Sequence, residues 1–392
     1  MARVCMVAFT DYLIDTRVRR EAEALVERGD GVEVICLAQK EKIKLRTLKG
    51  VKLSQLPIQR YRGSNTMIYL IKYAIFFVAA FFVLSFKHLK NKYQIIQVHS
   101  MPEFMVFVAF IPKLFGAKVV LDVHDLMPEL FQSKFGIAKS HWFIRFLTWM
   151  ERLSVSFAHR AIAVHKPHLD VLVRHGNPAD KFIVLLNLPD PRFFPRQVPA
   201  HVLNKNSLRF IYHGTISRRH GLDVALNAIA QVRQEIKELD FKIIGEGDAV
   251  PHLVDLTKEL KLTDCVSFIR FVMPEELSGI ILKADIGIIP ILYDNFTKYM
   301  LPVKLLEYVA LRIPVICSRT ETMQAYFDDT MVEYFEPGDI AELADHIRIL
   351  YRNPQRRESL HTNADRFNRM YNWDQQKHIY YEFIDNLISR RY

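Results

Sequence analysis

The residues best suited to chemistry lie in the segment from Tyr299 to Ser318, YMLPVKLLEYVALRIPVICS. Pro302 suits the first turn of a helix, where its missing N–H costs nothing. Lys304 and Glu307 stand three residues apart, so they occupy neighbouring positions on that helix. A helix N-terminus with free backbone amides binds anions, and a carboxylate one to two turns further on can hold a ribose diol. Taken alone, the segment fits either a nucleotide site or a surface helix with one ion pair.

Two histidines stand where predicted strands end in the first half of the chain. His124 follows the strand VVLDV, and His99 ends the strand YQIIQVH. The carboxyl ends of parallel strands border the ligand crevice of an open α/β sheet. Both imidazoles are therefore candidates to line such a crevice, and a capped or packed imidazole is the alternative for each.

The elements that must position these residues alternate along the whole chain. Short β-branched runs are separated by helical patterns, which predicts βαβ units and parallel sheets. The predicted strands of the first half are ARVCMVAF, VEVICLA, YQIIQVH, KVVLDVH, RAIAVH and FIVLLN. Those of the second half are SLRFIYH, FKIIG, CVSFI, IGIIPI, PVICS and MVEYF.

A chain of 392 residues is long enough for about two domains, each with its own core. We predict an N-terminal Rossmann-like domain over residues 1–190, a Pro-rich linker over 191–206, a ligand-binding domain over 207–372 and an amphipathic C-terminal helix over 373–392. The N-terminus is too soon interrupted by polar residues for a secretory signal. The four cysteines show no paired spacing, which indicates free thiols in a reducing compartment.

The positive charge belongs to the first half of the chain. Residues 1–190 carry 27 basic and 16 acidic side chains, whereas residues 191–392 carry 26 and 27. Between Glu41 and Glu103 there are eleven Lys or Arg and no acidic residue. These cations accompany a Phe-rich apolar segment rather than a groove of cations and stacking aromatics, which argues against nucleic-acid binding.

That apolar segment runs from Met67 to Phe86 and approaches the length that spans a bilayer, although Lys72 interrupts it. It fits a helix docked in the domain core, a helix in the membrane interface or a true span. The flanking cations favour the interface: Arg60, Arg62, Lys87, Lys90 and Lys92. We therefore predict a peripheral contact with an anionic membrane surface.

The pattern Pro-x-Lys-x-x-Glu-Tyr-x-Ala followed by Ile-Pro-Val-Ile resembles the nucleotide-binding helix of the family-4 retaining glycosyltransferases. The resemblance implies the GT-B fold, an α/β architecture of two doubly wound Rossmann-like domains that face a central cleft, with the C-terminal helix crossing back to the first domain. In that family two glutamates flank the donor. The one that contacts the ribose corresponds to Glu307, whereas the one that usually contacts the sugar falls on Tyr299, which departs from the family pattern.

Two further segments resemble the same family. GTISRRHGLDVAL has a turn glycine, Gly214, and cations that would hold the donor diphosphate. Arg219 is the preferred phosphate ligand because a guanidinium pairs two phosphate oxygens at once. His220 stands at the family's usual Lys position and would contact phosphate or pack, while Arg218 is expected to be a solvated loop cation. In FKIIGEGD, Gly245 and Gly247 would allow close approach to the nucleotide base.

The resemblance extends weakly into the first half. His124 corresponds to a family histidine that contacts the donor sugar from the acceptor domain. Asn187 corresponds to an asparagine near the linker, with a hinge role or a donor contact. Asp15 and Arg17 replace the family's Gly-Gly loop, and they would touch the acceptor or the diphosphate, or else cap a helix. His99 is a further candidate on the acceptor side.

The resemblance implies a hexosyltransferase that retains anomeric configuration and takes a UDP- or GDP-sugar as donor. Arg219, Lys304 and the amides near Met300 and Leu301 would stabilise the leaving diphosphate. Since no Asp-x-Asp motif follows a suitable strand, we expect metal independence and no cofactor. The expected acceptor is a saccharide or lipid-linked glycan, in cell-surface polysaccharide or glycolipid assembly at the cytoplasmic face of the plasma membrane. The alternatives are a sugar-nucleotide epimerase of the same fold and an inactive nucleotide-binding scaffold.

Overall fold

A computed structural model describes residues 1–38, 46–59, 66–100, 102–195, 207–236 and 238–389. The chain forms two compact units: Met1–Asn187 with Asp374–Tyr392, and Leu188–Trp373. Arg60, Arg62 and residues 196–206 of the predicted linker lie outside the described residues.

The first unit is built around an eight-stranded sheet. Its strands are β1 (Arg3–Ala8), β2 (Gly31–Leu37), β3 (Thr47–Leu48), β4 (Val51–Leu56), β5 (Ile95–His99), β6 (Lys118–Val123), β7 (Arg160–Ala163) and β8 (Phe182–Val184). They lie in the order β3-β4-β2-β1-β5-β6-β7-β8, and only the β3–β4 pair is antiparallel. The sequence patterns missed this hairpin because the edge strand β3 is only two residues long and β4 beside it includes exposed and half-buried positions.

Helices connect these strands and cover the sheet. They are α1 (Thr16–Glu27), α2 (Thr66–Asn91), α3 (Phe110–Leu114), α4 (Met127–Phe135), α5 (Trp142–Phe157) and α6 (Lys166–Arg174), with a 3-10 turn at Glu103–Ala109. The connections from β4 to β7 run in one direction across the sheet, whereas the β1–α1–β2 connection runs in the other. Because parallel crossovers are right-handed, α2, α3 and α5 lie on one face of the sheet and α1 lies on the opposite face.

The second unit holds a six-stranded parallel sheet. Its strands are β9 (Ser207–His213), β10 (Glu238–Ile244), β11 (Val266–Ile269), β12 (Ile286–Ile289), β13 (Val315–Ser318) and β14 (Glu333–Phe335), in the order β11-β10-β9-β12-β13-β14. Its helices are α7 (Leu222–Val232), α8 (Val250–Glu259), α9 (Pro274–Ile281), α10 (Val303–Ala310), α11 (Glu321–Gln324), α12 (Ile340–Arg352) and α13 (Pro354–Met370). The predicted α/β class with two Rossmann-like domains is confirmed.

One buried carboxylate ties β9 to β12 in the second unit. Asp285 is fully buried and accepts hydrogen bonds from the backbone N, Nε and Nη2 of Arg209 at 2.8, 2.9 and 3.0 Å. A buried charge needs such partners. Asp285 is therefore a structural residue.

The last helix, α14 (Trp373–Ser389), packs on the first unit. The hydroxyl of Tyr380 donates to Oε1 of Gln97 on β5 at 2.6 Å, and the hydroxyl of Tyr381 donates to the carbonyl of Ala24 on α1 at 2.8 Å. Both contacts join the end of the chain to the first 100 residues.

The apolar segment forms most of helix α2. In the described part of the chain, Leu70–Asn91 is long and apolar enough to cross a membrane by length and composition. A stripe of Phe76, Ala80, Leu84 and His88 is buried, and the rings of Phe76 and Phe9 lie 5.1 Å apart. Because β4 and β5 flank α2 and belong to one sheet, a membrane crossing by α2 would separate strands that lie together.

Candidate functional site

The two sheets share the topology that creates a crevice at strand ends. In the second unit the chain leaves β9 toward β10 on one side, while β12 lies on the other side. In the first unit β1 leads to β2, while β5 lies on its other side. Ligands of open α/β sheets bind at such switch points, outside the carboxyl ends of the strands. The candidate residues fall at both points.

Lys304 lies at the switch point of the second unit. Helix α10 begins at Val303 with Pro302 as its N-cap, so Lys304 is in the first turn. Its Nζ donates to the hydroxyl of Tyr212 at 2.7 Å and lies 3.9 Å from the centre of that ring. Burial lowers the pKa of Lys304 to about 7. A Cβ built on Gly214 would lie 3.5 Å from this Nζ, so Lys304 sits directly beside the turn after β9.

Glu307 lies one turn further along α10 and is buried. Its Oε2 is 3.0 Å from Nε2 of His213, the last residue of β9. Burial and the nearby Lys304 lower the pKa of His213 to about 3, so this imidazole is neutral at pH 7. Glu307 therefore faces a neutral imidazole at the end of β9. His213 was not among the site residues predicted from the sequence, although its place at a strand end was the available signal.

Arg219 and His220 lie in the 3-10 turn Arg218–His220 that follows β9. His220 is buried and shares a capping box with Ser217, whose hydroxyl lies 3.0 Å from Nδ1 of His220. Burial, Lys304 and Arg219 hold the pKa of His220 well below its ordinary value. Of the two predicted roles for His220, packing is the one that these contacts support.

The guanidinium of Arg219 lies 5.5 Å from the centre of the Phe296 ring. Its Nε is buried and has no hydrogen-bond partner among the described residues. The backbone N of Leu292 donates to the carbonyl of Arg219 at 3.0 Å, which ties the turn to the segment after β12. Arg218 is exposed to solvent, as expected for a loop cation. Arg219 is thus the half-buried cation of the turn.

The residues before α10 differ from the prediction. The backbone N of Met300 donates to the carbonyl of Thr297 at 2.9 Å, so this amide is already used within the chain. Tyr299 ends the 3-10 turn Thr297–Tyr299, and Leu301 precedes the helix by two positions. The helix amides that lack an intrahelical acceptor therefore begin at Val303, two residues later than predicted.

Gly245 and Gly247 allow two backbone segments to pack against each other. A Cβ on Gly245 would lie 1.9 Å from the carbonyl oxygen of Gly214, and one on Gly247 would lie 1.8 Å from that of Ile216. The backbone N of Ile216 donates to the carbonyl of Glu246 at 3.0 Å. The glycines therefore shape the loop after β10 around the loop after β9.

We expect Gly247→Ala to lower the melting temperature and to weaken nucleotide binding, because the new Cβ forces the two loops apart. Overpacking of this kind costs about 1–3 kcal/mol. Gly279→Ala is the matched control, since a Cβ there meets no atom within 4 Å. Thermal unfolding and calorimetric titration with a nucleoside diphosphate measure both effects. A Gly247→Ala protein with wild-type values would contradict this role.

In the first unit, His99 and His124 converge on one buried carboxylate. Oδ2 of Asp122 lies 2.8 Å from Nδ1 of His99 and 2.9 Å from Nε2 of His124. The two imidazole nitrogens are 3.3 Å apart. Strand register brings the carboxylate and the first imidazole together, because His99 on β5 pairs directly with Asp122 on β6. The sequence signal for Asp122 was a lone charge within the apolar run VVLDV.

The charges of this cluster follow from its contacts. Burial alone would raise the pKa of Asp122, but the imidazoles of His124 and His99 outweigh it and hold the pKa well below its ordinary value. Burial and the Arg17 guanidinium lower the pKa of His124. Burial alone would lower the pKa of His99, yet Asp122 raises it. A neutral His124 with its Nε2 proton on Asp122 presents Nδ1 as a hydrogen-bond acceptor.

Within the described residues, His99, Asp122 and His124 form the group of side chains that could hold a metal ion. Asp122 Oδ2 already accepts from both rings, so the carboxylate is satisfied by protein donors. The metal independence expected from the sequence stays a prediction.

The remaining candidates of the first unit occupy the start of α1 and the end of the unit. Asp15 is the N-cap of α1 and accepts from the backbone N of Val18 at 3.2 Å. Nη1 of Arg17 is buried and has no hydrogen-bond partner in the described part of the chain. Oδ1 of Asn187 accepts from Nη2 of Arg20 at 3.3 Å. Asp15 thus has the capping role, while Arg17 retains an unused donor near His124.

A buried polar network that the sequence did not reveal lies beside this cluster. Nε2 of Gln97 donates to Oε2 of Glu21 at 2.7 Å, and Oε1 of Gln97 accepts from Tyr380. Burial, followed by the charge of Asp122, raises the pKa of Glu21 to about 7. Gln97 thus bridges a carboxyl on α1 and a hydroxyl on α14. Because Gln97 and His99 both lie on β5, the C-terminal helix packs on the strand that carries His99.

Comparison with known families matches both halves of the chain. Residues 14–187 match the glycosyl transferase 4-like domain, and residues 193–367 match the glycosyl transferases group 1 family. The amylovoran biosynthesis glycosyltransferase AmsK of Erwinia amylovora is 27% identical over 175 residues. That match covers 44% of this chain and 42% of the relative, so it spans less than half of either protein.

Solved structures share the fold over nearly the whole chain. A sucrose-phosphate synthase from Thermosynechococcus elongatus superposes with a TM-score of 0.80 at 16% identity, covering 99% of both chains. HepE of Anabaena, solved in complex with UDP and glucose, superposes with a TM-score of 0.74 at 15% identity, covering 98% of this chain and all of the other. At these identities the likeness establishes the fold.

Proposed function

The chain belongs to the family-4 glycosyltransferases of the GT-B fold, and from this premise we propose that it transfers a sugar from a nucleotide-diphosphate sugar to a hydroxyl acceptor. The observation that carries the proposal is the convergence of Lys304, Glu307 and the glycine turn at Gly214 on the end of β9. A cation beside a backbone turn suits a diphosphate, and a buried carboxylate one helical turn away suits a ribose diol.

The leaving group of such a reaction is a nucleoside diphosphate that gains charge as the glycosidic bond breaks. Lys304, Arg219 and the free amides at the start of α10 would neutralise that charge. In the first unit, Nδ1 of the neutral His124 would accept a hydrogen bond from a substrate hydroxyl. We propose a hexosyl donor, retention of configuration and no metal requirement, and these points rest on the family pattern and on the protein cations available.

The proposed acceptor is a lipid-linked glycan at the cytoplasmic face of the plasma membrane. Support comes from the basic, apolar character of the first unit and from the exposed length of α2, which would lie in the membrane interface. AmsK is a glycosyltransferase of amylovoran biosynthesis, and WaaG, another structural neighbour, is one of lipopolysaccharide biosynthesis. Assembly of a surface polysaccharide or glycolipid is the corresponding role for this chain.

The test is a panel of UDP- and GDP-sugars screened by thermal shift, followed by assays of transfer and of donor hydrolysis. We expect Glu307→Ala to raise the donor KM by about 10- to 100-fold, because a hydrogen bond to a charged group contributes about 1.5–3 kcal/mol. Glu321→Ala, on the exposed surface of the same unit, is the control.

Three outcomes separate the alternatives. If no nucleoside diphosphate binds at millimolar concentration, the enzyme proposal is rejected. If nucleotides bind and Glu307→Ala weakens them, but no donor is transferred or hydrolysed, the inactive-scaffold alternative is correct. Release of an epimerised nucleotide sugar would identify the epimerase alternative.

A further inference from the structure

Helices α2, α3 and α5 expose large apolar side chains on one face of the first sheet. Right-handed crossovers place the three helices on that face. We call their exposed side chains the aromatic face: Leu70, Ile71, Ile75, Val78, Phe82, Phe86 and Leu89 on α2, Phe110, Leu114 and Phe115 at α3, and Trp142, Phe146, Trp149 and Leu153 on α5.

Ring contacts join the three helices into one surface. The 3-10 turn Glu103–Ala109 lies between them, with Phe104 at 5.9 Å from Phe77 of α2. Phe107 of the same turn lies 5.0 Å from Phe157 at the end of α5, and Phe110 of α3 stacks on Phe157 at 6.5 Å. Contacts between aromatic rings therefore connect the three helices that carry the exposed side chains.

Helix α5 shows the clearest division between a core side and a solvent side. Trp142, Phe146, Trp149 and Leu153 follow a 4-3-4 spacing and lie exposed on one stripe. The buried side is formed by a separate set, Ile144, Glu151, Ser154 and Val155. An exposed apolar patch that extends over three helices is rare on a soluble monomer and marks an interaction surface.

The charges around the aromatic face are basic. Helix α2 contains no acidic residue, and the one acidic residue of α5, Glu151, is fully buried. Arg145 and Arg152 are exposed on α5, and Lys90 and Lys92 are exposed at the end of α2. Two copies of the chain that met through this face would bring like charges together, whereas an anionic bilayer attracts each cation by about 1 kcal/mol.

We propose that the aromatic face docks on an anionic lipid bilayer and that α5 inserts Trp142 and Trp149 at the headgroup level. Tryptophan suits this depth because its ring is apolar and its indole N–H is polar. The inference rests on the membrane contact of the proposed function and extends it from α2 to a second helix, which would fix the orientation of the first unit on the membrane.

The chain offers its own reporters, because it has three tryptophans. Trp142 and Trp149 are 70% and 53% exposed, whereas Trp373 is 7% exposed. Trp373→Phe leaves the two reporters of α5, and the double variant Trp142→Phe/Trp149→Phe leaves only the buried one. Both are titrated with vesicles of phosphatidylcholine and phosphatidylglycerol whose acyl chains carry bromine, and with vesicles of phosphatidylcholine alone.

We expect the emission of Trp373→Phe to shift to the blue and to be quenched by the brominated anionic vesicles, while the double variant shows neither change. Phe146→Asp/Trp149→Asp, at exposed positions, should weaken vesicle sedimentation by at least ~10-fold, because two apolar side chains lose their burial. Vesicle sedimentation without quenching of Trp142 and Trp149 would mean docking through α2 alone and would overturn the inference.

Two other results have separate meanings. A blue shift that needs no vesicles and accompanies a dimer in sedimentation velocity would identify a second copy as the occupant and would also overturn the inference. If the tryptophans are quenched as expected but no nucleotide sugar is bound, the membrane face stands and the proposed glycosyl transfer fails.

Discussion

Replacement of Lys304 by Met is expected to lower kcat by about 10²–10³-fold, which is the usual effect of removing one group that stabilises a developing anion. Lys304 stands beside the turn at Gly214, and its Nζ has the neutral hydroxyl of Tyr212 as its hydrogen-bond partner. This partner is a neutral phenol, so the hydrogen bond does not neutralise the ammonium, and its charge can act on the diphosphate. The effect should appear with every donor that the protein accepts.

The pH dependence of donor binding provides a second readout of Lys304. Its pKa in the free protein is about 7, lowered by burial. A bound diphosphate favours the protonated ammonium and raises this pKa, so binding above pH 7 requires uptake of a proton. The donor Kd should be lowest below pH 7 and rise by about tenfold per pH unit above it, until the pKa of the complex is reached.

Lys258→Met is the control for this experiment, since Lys258 forms an exposed ion pair with Asp255 in the same unit. It should leave kcat and the pH profile unchanged. In Lys304→Met the pH dependence of Kd above pH 7 should disappear together with the activity. A Lys304→Met protein with wild-type kcat, or a donor Kd that does not change between pH 6 and pH 9, would remove Lys304 from the site.

Asp122→Asn is expected to cause a large loss of both stability and kcat. The carboxylate accepts hydrogen bonds from two imidazoles through Oδ2, whereas an amide has one acceptor oxygen and an NH₂ that faces a ring nitrogen. One histidine must change its tautomer or rotate. Breaking a buried charged pair costs about 3–5 kcal/mol, and a displaced His124 should lower kcat by about 10²-fold.

The readouts of this prediction separate positioning from stability. Asp170→Asn is the control, because it removes an exposed carboxylate that pairs with Lys166 in the same unit. It should change neither the unfolding temperature nor kcat. Nitrogen chemical shifts of labelled histidine report the tautomers of His99 and His124 directly. If Asp122→Asn unfolds at a lower temperature but keeps the wild-type kcat and the wild-type histidine signals, Asp122 is a structural residue only.

The acid stability of the first unit should follow the same carboxylate. The folded pKa of Asp122 lies below its value in the unfolded chain, so its contacts with the two imidazoles stabilise the fold at neutral pH. This contribution is lost as the pH falls through the folded pKa.

Local patterns in the sequence were enough to predict the fold class and the helix that carries Lys304 and Glu307. Lys304 and Glu307 lie on one short helix, and their relation depends only on three residues of helical spacing. The strands of both sheets were visible because buried parallel strands are continuous apolar runs. The turns at Gly214 and Gly245 could also be predicted, because glycine readily adopts positive φ. Both residues have positive φ in the structure.

The partners of these residues come from distant parts of the chain and depend on packing. Tyr212 meets Lys304 and His213 meets Glu307 because β9 and α10, separated by about ninety residues, pack together in the second unit. His99 and His124 share Asp122 because of the register between β5 and β6. A one-residue slip of that register would send Asp122 to the other face of the sheet.

The exposed stripe of α5 is another product of packing. Its aromatic residues lie on both sides of the helix, and a Phe-rich helix reads equally well as a core element. Which stripe faces solvent follows from where the 3-10 turn at Glu103–Ala109 packs. Spacing within one helix is local and can be read along the chain, whereas register and burial arise from contacts between segments far apart in sequence, and those contacts form only in the folded protein.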